Sequence, residues 1–425
     1  MINNSNPNQL IKKWQKKMFL LMWVTYASFY LLRVNISVAM PKIMGEFGLT
    51  KTNMGVVLTS LFFAYAVGQF INGQLGDKLN SRRIITIGLV VSAILNIIFG
   101  FSAGALILMA VIWGLNGYFQ SMGWGPTVKA TANWFPKKKR GKISGRLGTS
   151  YIIGGAFSWF LAGTIVKYMN WRFTFFIPAA ICIGLAIHWY IRARNAPEEV
   201  GLPSLEEQEK GIESSEVKKD HHIGFKETLK ITLLNPYVWF AGFALFGLNI
   251  VRYGFMSWAP TYMFEVQGAT ISLAAYKAIA FPVAGGLGAI FAGWASDRIF
   301  KHRRAPIAFI MLILLALSCY LYRIVPGTNW VISLVILLFI GFFTFGPHVL
   351  LVAALPVDLG SRKAASSVTG FIDAMGYVGA SLTGVGTGFL IDKFSWNAAF
   401  GFWIFGAILA AIMITFVWRF ELKKA

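Results

Sequence analysis

The chain has 425 residues, of which 56% are hydrophobic, 16% aromatic and only 13% charged. A soluble protein is about a quarter charged, so this composition excludes a soluble multidomain enzyme and a disordered chain, and leaves a polytopic membrane protein. The net charge of +22 would suit a nucleic-acid binder only if the basic residues shared one soluble surface. The apolar runs are continuous and do not alternate, which excludes a β-barrel. At about 20–25 residues per span, the chain holds twelve helices, at 17–40, 52–76, 84–102, 104–135, 143–166, 172–193, 236–263, 273–296, 305–323, 329–352, 364–390 and 395–419. The fold class is therefore all-α, with two six-helix halves, 1–193 and 236–425, joined by a polar cytoplasmic linker, 194–235. The linker carries nine of the 17 acids. The basic N-terminal tail has no small-residue cleavage site and reads as cytoplasmic. Cys182 and Cys319 lie inside apolar runs and offer neither a disulfide framework nor a metal site.

Sorting the 39 Lys and Arg by loop puts 29 on the side of both termini, seven on the opposite side and three inside spans. That asymmetry sets the orientation by the positive-inside rule, with both termini cytoplasmic. The basic excess is a topological signal, and no nucleic acid is expected as a partner. Contact with anionic lipid headgroups is a by-product of the same charges.

The two halves repeat. Arg33, Pro41 and Glu46 in span 1 recur as Arg252, Pro260 and Glu265 in span 7, at an offset of 219. Gly73 to Asp77 followed by Arg82-Arg83 recurs as Gly293 to Asp297 followed by Arg303-Arg304. Gly125-Pro126 precedes Lys142 by the spacing that separates Gly346-Pro347 from Lys363. Three ordered matches point to a duplicated six-helix unit. Two such halves about a pseudo-two-fold axis enclose a midplane cavity and work by alternating access, the architecture of the major facilitator superfamily. The Asp and Arg-Arg loops resemble that superfamily's signature. Asp77, Arg82, Arg83, Asp297, Arg303 and Arg304 are expected to form a conformational latch, the alternative being a plain topogenic charge cluster. The 43 glycines suit close helix packing and sliding.

A charge inside a span needs a reason, at about 2.5–3.5 kcal/mol each on insertion scales. Arg33 and Arg252 fall at matched depth in spans 1 and 7, with no acid in their own helices. A planar guanidinium fork matches phosphate or carboxylate oxygens in bidentate geometry, so a pair on opposite halves suits a small dianion. Structural neutralisation or snorkelling is the alternative. Asp373 in span 11 is the one acid placed mid-span. It is a candidate for proton coupling, for pairing with Arg252, or for both. Lys129 in span 4 either lines the cavity or snorkels. His348 after Gly346-Pro347 either senses protons or is a packed histidine, with packing the preferred reading. Tyr26, Tyr30 and Arg33 share a helix face, and Tyr65, Trp124 and Tyr377 are mid-span aromatics that pack or donate hydrogen bonds to an anion.

The segment from Tyr30 through Arg33 and Asn35 to Pro41, the segment Arg252-Tyr253-Gly254 with Trp258 to Tyr262, Met122-Gly123-Trp124, and Gly346-Pro347 leading to Arg362-Lys363 resemble the organophosphate:phosphate antiporters, the group of glycerol-3-phosphate and hexose-6-phosphate transporters. The resemblance covers nearly the whole chain. It implies that Arg33 and Arg252 hold a phosphoryl group, that Tyr26, Tyr30, Tyr65 and Tyr377 line the cavity, and that inorganic phosphate is exchanged for an organophosphate. Three positions depart from the pattern. Gln69 stands where those transporters carry a Lys, Ser150 where some carry a His, and Asp373 where a Gly is expected. These shifts move the chain towards the anion:cation symporters, which the run from Val34 to Leu49 also resembles, so a proton-coupled carboxylate symporter is the second reading. A membrane sensor of phosphate esters is the third. No nucleophile–base set, metal cluster or nucleotide loop is visible, so no enzyme and no cofactor are expected. The chain is expected to act as a monomer in the inner or plasma membrane.

Overall fold

The computed structural model describes residues 7–78, 80–205, 233–301, 303–325, 329–359 and 365–424. Most of the linker lies outside that set, as do Arg362, Lys363 and the side chains of Asp77 and Lys142. The regular elements among the described residues are all helices, with no strand among them. Twelve helical paths cross the bundle, and eleven are long and apolar enough to span a bilayer. The twelfth, Lys51–Lys78, is 28 residues long.

Span 1 is divided into Pro7–Leu31 and Ile36–Phe47, and span 4 into Leu106–Gln120 and Trp124–Trp134. The other spans of this half are Lys51–Lys78 (span 2), Ser81–Gly100 (3), Lys137–Tyr168 (5) and Phe173–Arg192 (6). The second half contains Pro236–Glu265 (7), Ile271–Ala278 with Ala280–Arg298 (8), Ala305–Ile324 (9), Trp330–Val349 (10), Ala365–Lys393 (11) and Trp396–Lys424 (12). Span 1 is longer than the apolar pattern predicts, because its polar, basic first turns are helical too.

Local signals explain the ends. Asn80 caps span 3 by accepting from the Arg82 N–H at 2.9 Å, and Asn235 caps span 7 by accepting from Tyr237 at 3.0 Å, with Pro236 in the first turn. A short polar side chain there satisfies N–H groups that have no helical partner. Span 10 carries Pro347, which cannot donate to the preceding turn. It continues through a π turn, Leu350–Ala354, and a short helix, Leu355–Leu359.

The repeat seen in the sequence is a repeat of packing. Span 2 lies on span 4 and span 8 on span 10. Span 3 lies on span 6 and span 9 on span 12. The halves meet along two matching seams, span 2 against span 11 and span 5 against span 8, with the second helix of span 1 against span 7. Those seams close at the end of the bundle opposite the termini. There a Cβ on Gly388 would fall 2.3 Å from the Lys51 carbonyl oxygen, and one on Gly55 2.5 Å from that of Gly384. Only glycine lets backbones approach so closely. Thr59 donates to the Ser381 carbonyl at 2.6 Å and accepts from the Val385 N–H at 2.9 Å, and Thr164 bonds Tyr276 at 2.9 Å. The far end is shut.

Candidate functional site

Arg33 sits in the break of span 1. From Phe29 to Ser37 several backbone bonds tighten from i−4 to i−3, as in Leu32 N to Phe29 O and Arg33 N to Tyr30 O. The Leu32 carbonyl beside the break collects three side-chain amides: Asn96 at 3.1 Å, Asn116 at 2.9 Å and Gln120 at 3.0 Å. Asn35 adds bonds to Asn96 at 3.0 Å and to the Thr174 carbonyl at 2.9 Å. Gln120 then turns its own oxygen to Arg33 Nε, 2.6 Å away. Arg33 is 6% exposed, and its Nη1 is buried with no hydrogen-bond partner. The guanidinium lies over the rings of Tyr65 at 4.5 Å and Tyr30 at 5.0 Å, a favourable stack for a desolvated cation.

Arg252 is held differently, although span 7 is its repeat partner. Span 7 is one unbroken helix. Arg252 is 4% exposed, its Nη1 lies 2.9 Å from His348 Nε2, and its Nε has no partner. The rings of Tyr253, Phe345 and Tyr151 lie 4.9, 5.1 and 5.5 Å from it. Among the described residues neither arginine pairs with a carboxylate.

Two expectations bear on this pair. His348 is a buried histidine packed against Phe345 and Tyr151, and it is also the hydrogen-bond partner of Arg252. Asp373 does not ion-pair with Arg252: it is half-buried and forms no ion pair among the described residues. His348 lies in the last turn of the span 10 helix, Trp330–Val349, and from there its imidazole reaches Arg252 of span 7.

The expected aromatics converge. Tyr26 packs on Trp124 at 4.9 Å and on Tyr30 at 6.1 Å, and Tyr65 packs on Tyr377 at 4.6 Å. Gln69 donates to the Tyr65 hydroxyl at 2.7 Å. Tyr30 meets Tyr151 at 6.1 Å, and Tyr377 meets Tyr253 at 6.0 Å. The two guanidinium groups are thus joined by a ring of tyrosines running through both halves. Beyond them, towards the closed end, lie two small cavities. One is lined by Arg33, Ser37, Trp113, Tyr253 and Ser257, the other by Arg252, Tyr151, Trp159 and Phe281; both touch Val34 and Met256. Lys129 is half-buried on span 4.

Sequence reading missed Gln120, Asn116, Asn96, Tyr151 and Tyr253 as site residues. Asn116 and Gln120 share a face at i and i+4 in an otherwise apolar span, and that was the available signal. Of the expected latch residues, Asp297 and Arg304 form an ion pair, Arg304 Nη1 also donates to Ser296 at 2.9 Å, and Arg303 contributes its carbonyl to Ser296. In the other half Arg82 lies over the Tyr190 ring at 4.9 Å and its N–H also reaches Asn195 at 3.0 Å, while Arg83 is exposed. The Asp77 side chain lies outside the described residues. Both cysteines are buried and free.

Comparison with known proteins agrees with this architecture. A glycerol-3-phosphate transporter of Bacillus subtilis is 32% identical, covering 98% of this chain and 95% of that one. A probable hexose phosphate transport protein of Chlamydia trachomatis is 31% identical over 98% and 94%. The membrane sensor protein UhpC of Escherichia coli is 32% identical over 94% and 90%. Among solved structures, a bacterial homologue of the human lysosomal transporter Spinster, inward-facing and occupied, superposes with a TM-score of 0.77 at 15% identity over 99% of each chain. A D-xylose–proton symporter gives 0.70 at 16%, over 95% and 97%. These distant structures share the fold. The Major Facilitator Superfamily model matches residues 19–384, and with the relatives above it shows that the chain belongs to that superfamily and, within it, to the organophosphate:phosphate antiporter family.

Proposed function

We propose that the protein exchanges a small organophosphate, such as a glycerol phosphate or sugar phosphate, for inorganic phosphate by alternating access. The observation that carries this reading is the pair of buried guanidinium groups, Arg33 and Arg252, one on each half. Each keeps a buried N–H group without a hydrogen-bond partner, and neither is neutralised by a carboxylate among the described residues. An unneutralised buried charge is costly, and an arriving phosphoryl group offsets that cost on both halves at once. Its oxygens draw spans 1 and 7 together, which couples occupancy to the rocking of the halves. Tyr26, Tyr30, Tyr65, Gln69, Trp124 and Tyr377 supply hydroxyl, amide and ring contacts to the ligand. Asp297 and Arg304, with their counterparts Asp77, Arg82 and Arg83, stabilise one access state.

The relatives support this reading over a carboxylate symporter, since two of them are a glycerol-3-phosphate transporter and a probable hexose phosphate transport protein. The charge asymmetry of the loops supports cytoplasmic termini and a closed end that faces outside, in the inner or plasma membrane. The small anion is the partner, the bilayer the solvent, and the monomer the working unit.

Purified protein in phosphate-loaded proteoliposomes tests the proposal. Labelled phosphate should enter by counterflow and be inhibited by glycerol 3-phosphate or a hexose phosphate. Arg33→Lys and Arg252→Lys should each lower the rate at least tenfold, because a point charge replaces a fork. Full uptake by both variants would sink the proposal. Ligand binding with no flux would instead identify a sensor, the role that the name of one 32%-identical relative describes.

A further inference from the structure

The two arginines are held by partners of different chemistry. Gln120 is an amide tied to the Leu32 carbonyl and, at 3.3 Å, to Asn116, and it cannot change charge. His348 can. A guanidinium has only N–H donors, so the 2.9 Å contact with Arg252 Nη1 requires a lone pair on His348 Nε2. The imidazole is therefore neutral with its proton on Nδ1, and Nδ1 is buried without a partner. Around this pair stand Tyr253, which accepts from the same Nη1 at 3.4 Å, and Tyr151, whose ring meets His348 edge-on at 6.5 Å. Asp373 of span 11 lies within electrostatic reach of Arg252, without an ion pair.

We propose that His348 is an exchangeable positioning residue: it holds Arg252 until a phosphoryl oxygen replaces it, and then takes up a proton. The inference rests on the phosphate-exchange reading above. When a dianion arrives, Arg252 Nη1–H turns to a phosphoryl oxygen and its bond to Nε2 breaks. The freed lone pair on Nε2 accepts a proton from solvent, and the imidazolium donates to the same ligand. Charge bookkeeping favours that step. Arg33, Arg252 and Asp373 together carry +1; a dianion alone brings the cavity to −1, and one proton returns it to zero. A buried site without net charge is the least costly. Arg33 has no such neighbour, so the half containing span 7 carries the proton.

Calorimetry on the solubilised protein tests the inference. Glycerol 3-phosphate is titrated at about pH 8, where a phosphate monoester with a second pKa of about 6 is dianionic, in two buffers of different ionisation enthalpy. Wild type should take up about one proton per ligand bound. His348→Gln keeps a neutral acceptor for Arg252 but cannot be protonated; it should bind the dianion more weakly than wild type and take up no proton. Asp373→Asn removes the negative charge from the charge count, so a dianion alone brings the cavity to zero and proton uptake should fall. Binding by wild type with no proton uptake overturns the proposal, as does unchanged uptake in His348→Gln, which would assign the proton to another group. Phosphate counterflow by wild-type vesicles separates the two levels. If there is no exchange, the underlying reading falls; if exchange occurs without the proton, only this inference does.

Discussion

Lys51, at the start of span 2, forms an ion pair at 3.2 Å with Glu265, the last residue of span 7, and so ties one half to the other at the closed end. The repeat explains why Glu265 is available. Glu46 accepts from Trp171 at 2.6 Å and is clamped by both terminal nitrogens of Arg172, at 2.7 and 3.1 Å. Glu265 accepts from Trp396 at 3.1 Å in the same manner, but Asn397 follows that tryptophan where an arginine follows Trp171. With no cation from its own half in that place, Glu265 takes one from the other. Beside it, Asp392 of span 11 accepts from the Lys51 and Thr52 N–H groups, at 3.3 and 2.7 Å, and from the Thr52 hydroxyl at 2.7 Å. A carboxylate at a helix N-terminus stabilises that helix end.

Both contacts join the two halves at the shut end, so their loss should favour the opposite access state. A partly exposed ion pair contributes about 0.2–1 kcal/mol, and the loss of a cap costs about 1 kcal/mol. Lys51→Ala with Asp392→Asn should therefore raise the far-side-open population several-fold. A cysteine at Ser257, which lines the cavity under the seal, would report it. Its labelling by an impermeant thiol reagent should accelerate in vesicles, and an unchanged rate would refute the assignment.

The glycine seams make a stronger prediction in the same direction. A side chain at Gly388 would collide with the Lys51 backbone, and one at Gly384 with the Thr59 backbone N at 2.7 Å. Helix backbone cannot yield as a flexible side chain can. Gly388→Val should abolish counterflow and leave the Ser257→Cys reporter permanently accessible, while the protein stays folded by circular dichroism.

Gln120 should matter to anion affinity through its bond to Arg33 and through its hold on the break in span 1 at the Leu32 carbonyl. Gln120→Leu removes the acceptor of a buried charged donor at a cost of about 1–3 kcal/mol, and should raise the half-saturating phosphate concentration about tenfold. Gln120→Glu would place a carboxylate against the guanidinium and should nearly abolish uptake. Equal activity in both variants would show that Arg33 is not held for ligand.

The loop pair of Asp297 and Arg304 lies within one half, away from the cavity. Asp297→Asn should slow counterflow several-fold while leaving ligand-induced thermal stabilisation intact, because it alters access states and not the site. Equal losses in binding and rate would contradict a latch.

The number of spans, the duplication and the two intramembrane arginines were legible from the chain because each follows from a one-dimensional rule: the width of hydrocarbon, a fixed offset of 219 to 221 residues, and the cost of charge in a span. What each arginine touches was not legible. Partners across helices depend on rotation about each axis and on the register of packing, and neither leaves a periodic trace. Thus Asn96, Asn116 and Gln120 read as scattered amides until the break in span 1 exposed a carbonyl for all three. Asp373, the obvious partner by charge, gave way to His348, which the last turn of the span 10 helix brings to Arg252. The sequence by itself determined that two positive charges would be buried opposite one another in a twelve-helix membrane protein. Only the tertiary structure decided that a fixed amide holds one and a titratable ring the other, because helices of the same repeat can be broken in one half and continuous in the other.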